Sequence, residues 1–414
     1  MRLAAAARPL ASLSVLAIRG GRVVYQRQFG SRWIDNANRR NDKPAEPGTL
    51  YRVASISKLV TTLGVLRLVE SGKLALDRDI GDYLGYPVRN PHFPGAPITL
   101  RMLLSHTSSL RDDAGYFWPA GNDIREVLSP GGAQHGNGAM WSREAAPGKF
   151  FHYANLPWGV VGTIMEKVAG ERFDRLMQRL VLDPLGMLGG FSPADMPPAK
   201  VRDIATLYRK RPANDDKAPW DPKGPWIAQV DDYSSESPVP RAGPDYVIGS
   251  NGTVFGPQGN LRASAADLAR VMLLLMGEGE LEGRRFLERR TVELMLSRQW
   301  RHDGRNGAST YGSRRERHQA WGLGNQHFLD VSGPGPGDRL VEGGGFTGAG
   351  HLGDAWGLTS AFVFDPATRN GLIFLAGGPG FDPETHPGTY SAFSRHEERI
   401  LTALHRRAIL GASD

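Results

Sequence analysis

An α+β fold is the expectation for this chain. Strand-like runs stand at both ends, helical periodicity fills much of the stretch between, and a β-hairpin pattern lies near the C-terminus. Residues 1–66 and 310–414 are expected to build one antiparallel sheet from the two termini, flanked by helices. Residues 67–309 form a mainly helical insertion, with an irregular excursion at about 187–260, and the active site is expected between the two parts.

The elements follow in chain order. SLSVLAIRGGRVVYQRQFG reads as two strands, 13–18 and 22–28, around a Gly20–Gly21 turn. The preceding residues give MRLAAAARPLASLSVLAI a superficial signal-peptide look. Arg8 and Pro9 interrupt its apolar run, and no small-x-small site precedes a mature start. As the chain stands it reads as soluble and cytoplasmic, or as periplasmic or secreted if an upstream signal was removed. Residues 55–71 are apolar nearly all round the helical wheel, so that helix is expected to be buried. Helical periodicity recurs at 98–106 and 156–181, with Gly170 as a C-cap inside the second stretch. Within the excursion, WIAQVDDY (226–233) is strand-like. Helix returns over 264–279, with Ser264 as N-cap. LTSAFVFDPATRNGLIFLAGG (358–378) reads as a hairpin, and 393–410 as a terminal helix.

Composition excludes several classes. No apolar run approaches the ~20 residues that span a bilayer, so no transmembrane segment is expected. Cysteine is absent, which removes disulfides, thiolate nucleophiles and cysteine metal sites. The eleven histidines are scattered and no H-E-x-x-H occurs, so neither a metal nor another cofactor is expected. The net charge of +7 is mostly arginine, densest in RHDGRNGASTYGSRRERH (301–318). That run reads as a solvated glycine-rich loop. With no aromatic platform or recognition helix beside it, nucleic acid is not an expected partner.

Chemistry gathers at three places. Ser55-Ile56-Ser57-Lys58 puts a serine at a helix N-terminus and a lysine one turn on, on the same face. A buried lysine loses affinity for its proton and can take one from the serine. The plain alternative is a capping serine and a solvated lysine. Tyr153-Ala154-Asn155 is the single Y-x-N of the chain. Its tyrosine could hold a phenolate beside the lysine, and its asparagine could bind a substrate carbonyl or hold the lysine. A core tyrosine and a capping asparagine are the alternative. The third place, GGGFTGAGHLG (343–353), satisfies G-x-G-x-x-G, yet a strand-like run follows where a dinucleotide site needs a helix. There is no G-x-S-x-G elbow.

Taken in order, Ser55-x-x-Lys58, Tyr153-x-Asn155 and His351-x-Gly353 resemble the three active-site elements of class C β-lactamase-like serine hydrolases. That superfamily includes penicillin-binding DD-peptidases, class C β-lactamases, D-aminopeptidases and β-lactamase-fold esterases. ITLRMLLSHTSSL is similar to the family helix ending in His-Thr-Ser-Gly-Leu, with Ser109 in place of the glycine. The resemblance implies Ser55 as nucleophile, with Lys58 and Tyr153 sharing the acid and base work. It further implies an oxyanion hole from the backbone N–H groups of Ser55 and Asp354, and substrate orientation by Asn155 and His351. Gly353 is expected to allow close approach of substrate, with Trp356, Tyr116, Phe117 and Trp118 as apolar walls. Many relatives carry Lys-Thr-Gly at the third element, whereas no lysine follows Lys223 here and Leu352 replaces the threonine. Loss of that carboxylate-gripping hydroxyl points to a small-molecule ester or amide without a terminal carboxylate. A carboxylesterase is therefore ranked ahead of a D-Ala-D-Ala carboxypeptidase, a D-amino-acid amidohydrolase or a weak β-lactamase. A catalytically silent scaffold protein is the non-enzyme alternative.

Overall fold

The computed structural model describes residues 9–212, 218–332 and 337–411. The first eight residues of the signal-like stretch lie outside them; its remainder enters strand β1 (Leu10–Arg19). Across the Gly20–Gly21 turn β1 pairs with β2 (Arg22–Trp33), and β3 (Lys43–Pro44) extends that edge. Both long strands outrun the apolar residues that announce them, because pairing continues past the buried stretch: Leu10 still lies opposite Pro379.

The other strands come from the far end of the chain. They are β4 (Trp300–Arg301), β5 (Ala320–Trp321), β6 (Gln326–Phe328), β7 (Gly348–Ala355), β8 (Leu358–Asp365) and β9 (Asn370–Pro379). Among the described residues these form a nine-stranded antiparallel sheet in the order β4-β5-β6-β7-β8-β9-β1-β2-β3. The α+β expectation, with a sheet built from both termini, is met. Strands β1, β8 and β9 are buried on both faces because helices cover each side. Leu16, Ile18, Phe362, Phe364, Ile373 and Leu375 join the large core on one face. Val15, Val363, Leu372 and Phe374 pack on the other, with Ile400, Leu401 and Leu404.

Helix α1 (Ile56–Glu70) lies in the large core with twelve of its fifteen residues buried, as its all-round apolar pattern requires. Helix α2 (Leu100–Leu104) is shorter than the expected 98–106: Thr99 caps it, and the chain leaves it through His106 at φ +58°. Helix α3 (Leu156–Ala169) ends at the left-handed Gly170, and α4 (Phe173–Met177) runs into a wider π-helical turn, Gln178–Leu182. Helix α5 (Ala265–Met276) opens on a reciprocal box between Ser264 and Asp267. Helices α6 (Arg289–Leu296) and α7 (Arg395–Leu404) complete the set used below. Among the described residues no helix is long and apolar enough to cross a membrane.

The 187–260 excursion is less irregular than its composition suggests. Leu207–Lys210 pairs with Trp226–Val230, and Asp231 just beyond is clamped by Arg262 through bonds of 2.5 and 3.0 Å. Both side chains of this pair are almost wholly buried. Burial alone would raise the Asp231 pKa, but Arg262 holds it below the usual carboxylate value. Its stabilising contribution is therefore present above the unfolded pKa and lost as pH falls through the folded one. Arg52 lies in the same pocket, donating to Asn260 Oδ1 and to the Gly259 carbonyl; burial, with Arg262 beside it, brings its pKa down to about 9. Replacing Asp231 with alanine leaves the Arg262 guanidinium buried with carbonyl partners but no counter-charge, and should cost about 3–5 kcal/mol in urea unfolding. A loss under about 1 kcal/mol would show that the guanidinium finds another partner.

Candidate active site

The site grows from the start of α1. Ser55 occupies the N-cap position, but its hydroxyl makes no capping bond. Ser55 Oγ instead makes a hydrogen bond of 3.0 Å with Lys58 Nζ, so the capping-serine alternative does not hold. Ala54 precedes it in a left-handed conformation, φ +47°, a strain of order 1–3 kcal/mol held at the residue before the hydroxyl.

Lys58 is completely buried. Besides Ser55 its amine meets Tyr153 Oη at 2.9 Å, Asn155 Oδ1 at 2.8 Å and the Gln258 carbonyl at 3.3 Å. Asn155 Oδ1 and the Gln258 oxygen can only accept. A neutral amine has two N–H groups, which these acceptors can take, leaving its one lone pair for one of the two hydroxyls. Burial brings the Lys58 pKa down to about 7, opposed by the Asp112 carboxylate.

Asp112 is a residue that sequence reasoning missed. It accepts from Asn155 N and Leu156 N at 2.8 Å and from Asn155 Nδ2 at 2.9 Å. The carboxylate thus closes the N-terminus of α3, the role open to Asn155 itself, and turns the amide so that its oxygen faces Lys58. With both ends of the amide engaged inside the protein, Asn155 holds the lysine and does not border the cavity beside Ser55.

Tyr153 lies between the rings of His106 (4.5 Å) and His318 (5.3 Å), with Tyr311 edge-on at 5.2 Å. Burial pushes its pKa well up, so at neutral pH it is a phenol and not the phenolate that a neighbouring lysine suggests. His106 takes the Ala154 N–H on Nδ1. Ser109, where relatives carry glycine, holds φ +64°.

Strand β7 forms the opposite wall. His351 borders the cavity, its Nδ1 donating to the Leu352 carbonyl at 2.6 Å while Nε2 is buried without a partner. Burial, with Lys58 nearby, brings its pKa down to about 3, so the ring is neutral. Leu352 packs its side chain into the layer beneath α7, although the residue also borders the cavity. Gly353 faces the backbone just before Ser55: a Cβ there would come within 2.6 Å of the Val53 carbonyl and 2.3 Å of Ser360 Oγ. The close approach it allows is between two chain segments, not to substrate. Asp354 borders the cavity, and its carboxylate binds Arg314 at 2.9 Å. Gly343, Gly344 and Gly345 all take positive φ in the turn that leads towards β7, and no helix follows.

A sequence profile of the family described as Beta-lactamase matches residues 3–395. The chain belongs to this family. It is 29% identical over 182 residues to penicillin-binding protein 4* of Bacillus subtilis (strain 168), covering 42% of this chain and 36% of that protein. With esterase EstB of Burkholderia gladioli it shares 31% identity over 192 residues, 44% of this chain and 46% of the esterase. The matches thus span less than half the length of these curated relatives. In fold it is similar to the octameric penicillin-binding protein homologue from Pyrococcus abyssi, with TM-score 0.61 and 22% identity, covering 92% of this chain and 73% of that one.

This β-lactamase family member walls its cavity with residues that the sequence did not single out as site residues. Tyr311, Arg317, His318, Trp321 and Gln326 line it with Ser55, Tyr153 and His351. The basic run at 301–318 is therefore not simply a solvated loop: Arg314, Arg317 and His318 are buried at its end. The aromatic walls are Tyr153, Tyr311 and Trp321. Trp118 sits in the core, Tyr116 and Phe117 are exposed, and none of the three borders this cavity. Trp356 does not border it either; it stands at the β7–β8 turn under the Arg52 guanidinium, 3.6 Å from its ring. The cavity is small, about 20 Å³.

Gly353→Ala tests the apposition of β7 and the Ser55 segment. Overpacking of this kind costs typically about 1–3 kcal/mol. The variant should unfold at lower urea and lose hydrolysis together; full stability and activity would show that β7 can retreat.

Proposed function

We propose that the protein is a serine hydrolase that cleaves a carboxylic ester, or less readily an amide, through an acyl-enzyme on Ser55. The observation that carries this reading is the bonding of Lys58. Two pure acceptors can occupy the N–H groups of a neutral amine, and its lone pair is left for one of the hydroxyls 3.0 and 2.9 Å away.

The reaction then runs as follows. Ser55 Oγ attacks the substrate carbonyl carbon while its proton moves to Lys58 Nζ. Negative charge gathers on the carbonyl oxygen, which the N–H groups of Ser55 and Asp354 receive. The bond to the leaving alcohol breaks as a proton returns to it through Tyr153, giving the acyl-enzyme. Water repeats the sequence, releasing the acid and restoring Ser55. Neutral His351 contributes an acceptor, Nε2, to orient the substrate.

The ester is favoured by EstB, the relative at 31% identity, which is named an esterase. The likeness to penicillin-binding protein 4* keeps peptide and β-lactam substrates in the same assay.

Ser55→Ala should lower kcat/KM on a short-chain p-nitrophenyl ester at least about a thousandfold. Intact-mass spectrometry of wild-type protein with a slow ester should show one acyl group on Ser55. Turnover that survives in the variant would sink the mechanism. Faster turnover of a chromogenic cephalosporin or a D-Ala-D-Ala peptide would move the substrate class, and silence on all three would leave a binding protein.

Because Lys58 must be neutral to accept the serine proton, kcat/KM should rise with pH through about 7 and then level off. A flat profile between pH 5.5 and 8.5 would remove Lys58 from the role of base.

A further inference from the structure

We propose that His351 and Trp321 hold the water that releases the acyl group from Ser55. This rests on the serine-hydrolase reading above and assigns a binding place to its second substrate.

His351 and Trp321 border the same cavity as Ser55 and Tyr153, and both are almost wholly buried. His351 Nδ1 donates to the Leu352 carbonyl, which leaves Nε2 as an acceptor with no partner among the described residues. Trp321 Nε1 can only donate, and it too is buried without a partner among them. The two rings are perpendicular, with centres 5.4 Å apart. The Tyr153 ring lies 6.2 Å from His351 and 5.7 Å from Trp321. An acceptor, a donor and the phenol that contacts Lys58 thus gather around one small space. His318 borders it as well, but among the described residues no bond fixes which of its nitrogens carries the proton.

The chemistry of these atoms selects the ligand. The two oxygens of an ester only accept, so the scissile group offers nothing to Nε2 during acylation. Water offers an O–H to Nε2 and its oxygen to Trp321 Nε1. A buried water needs about 10–15 Å³ of room and two to four polar partners. The cavity supplies about 20 Å³. In deacylation the water oxygen attacks the acyl carbonyl carbon while one O–H stays bonded to Nε2. Burial keeps His351 neutral, so that proton remains on the oxygen and leaves with the acid. The other proton passes through Tyr153 to Lys58, whose amine is 2.9 Å from the phenol. The bond from the acyl carbon to Ser55 Oγ then breaks, and Lys58 returns its proton to Ser55.

The test separates the two half-reactions on p-nitrophenyl butyrate. With enzyme in excess, release of p-nitrophenol times acylation, and intact-mass spectrometry follows the decay of the acyl group on Ser55. In His351→Phe deacylation should slow at least about tenfold more than acylation, so that the acyl-enzyme accumulates. His351→Gln, whose amide can present an oxygen near the place of Nε2, should recover part of that loss. Trp321→Phe, which removes the N–H donor and keeps an aromatic ring, should shift the balance in the same direction. Equal slowing of both half-reactions in His351→Phe, or an acyl-enzyme as short-lived as in wild type, would overturn the proposal. Should His351→Phe fail to fold, Trp321→Phe decides by the same criterion. If wild-type protein forms no acyl group on Ser55, or Ser55→Ala retains turnover, the serine-hydrolase reading itself has failed, and the proposal with it.

Discussion

The site is organised by the burial of a single amine. Lys58 lies beyond the reach of water, and four oxygens from three chain segments surround it. Each segment is tied to the others by contacts that make no use of chemistry. The 257–261 stretch runs along α1, where Thr61 donates to the Pro257 carbonyl and Ser57 accepts the Leu261 N–H. Tyr153 and Asn155 are carried to the amine by the start of α3, which Asp112 closes. Burial lowers the Lys58 pKa while Asp112 opposes the fall, so the distance of one carboxylate sets where the amine titrates. The same carboxylate fixes the helix end and the local potential.

What could be read in advance was what local geometry dictates. A serine and a lysine three residues apart at a helix start must share a face, and an all-round apolar helix must be buried. Strand periodicity in β1, β8 and β9 was equally plain. Asp112 was not legible, because it acts 43 residues away on Asn155 and no periodicity links them. Arg317 and His318 were hidden for another reason: a run rich in glycine and arginine looks solvated, and composition cannot tell which of its cations turns inward. Leu352 and Gly353 were misread in role though not in position. Their meaning depends on which face of β7 looks at Ser55, and that is settled only once β7 pairs with β6 and β8.

Arginine serves this protein in two distinct conditions. Arg262 and Arg314 sit against carboxylates that neutralise them. Arg52 meets amide and carbonyl oxygens and the face of Trp356. Matched clusters of this kind hold loops against the sheet near the cleft, which lets strained backbone persist there, as at Ala54.

The pairing of β1 with β9 bears on how the molecule comes to exist. Ser12 meets Gly377 across 365 positions of chain, and β1 stands inside the sheet, not at its edge. During synthesis β1 leaves the ribosome long before its partner β9 and must wait for it. Until then it can pair with β2 alone and presents an apolar, unpaired edge, the kind of surface that seeks other strands. The sheet that frames the cleft therefore closes only once β9 has emerged, and until that moment the open edge of β1 must be kept from its neighbours.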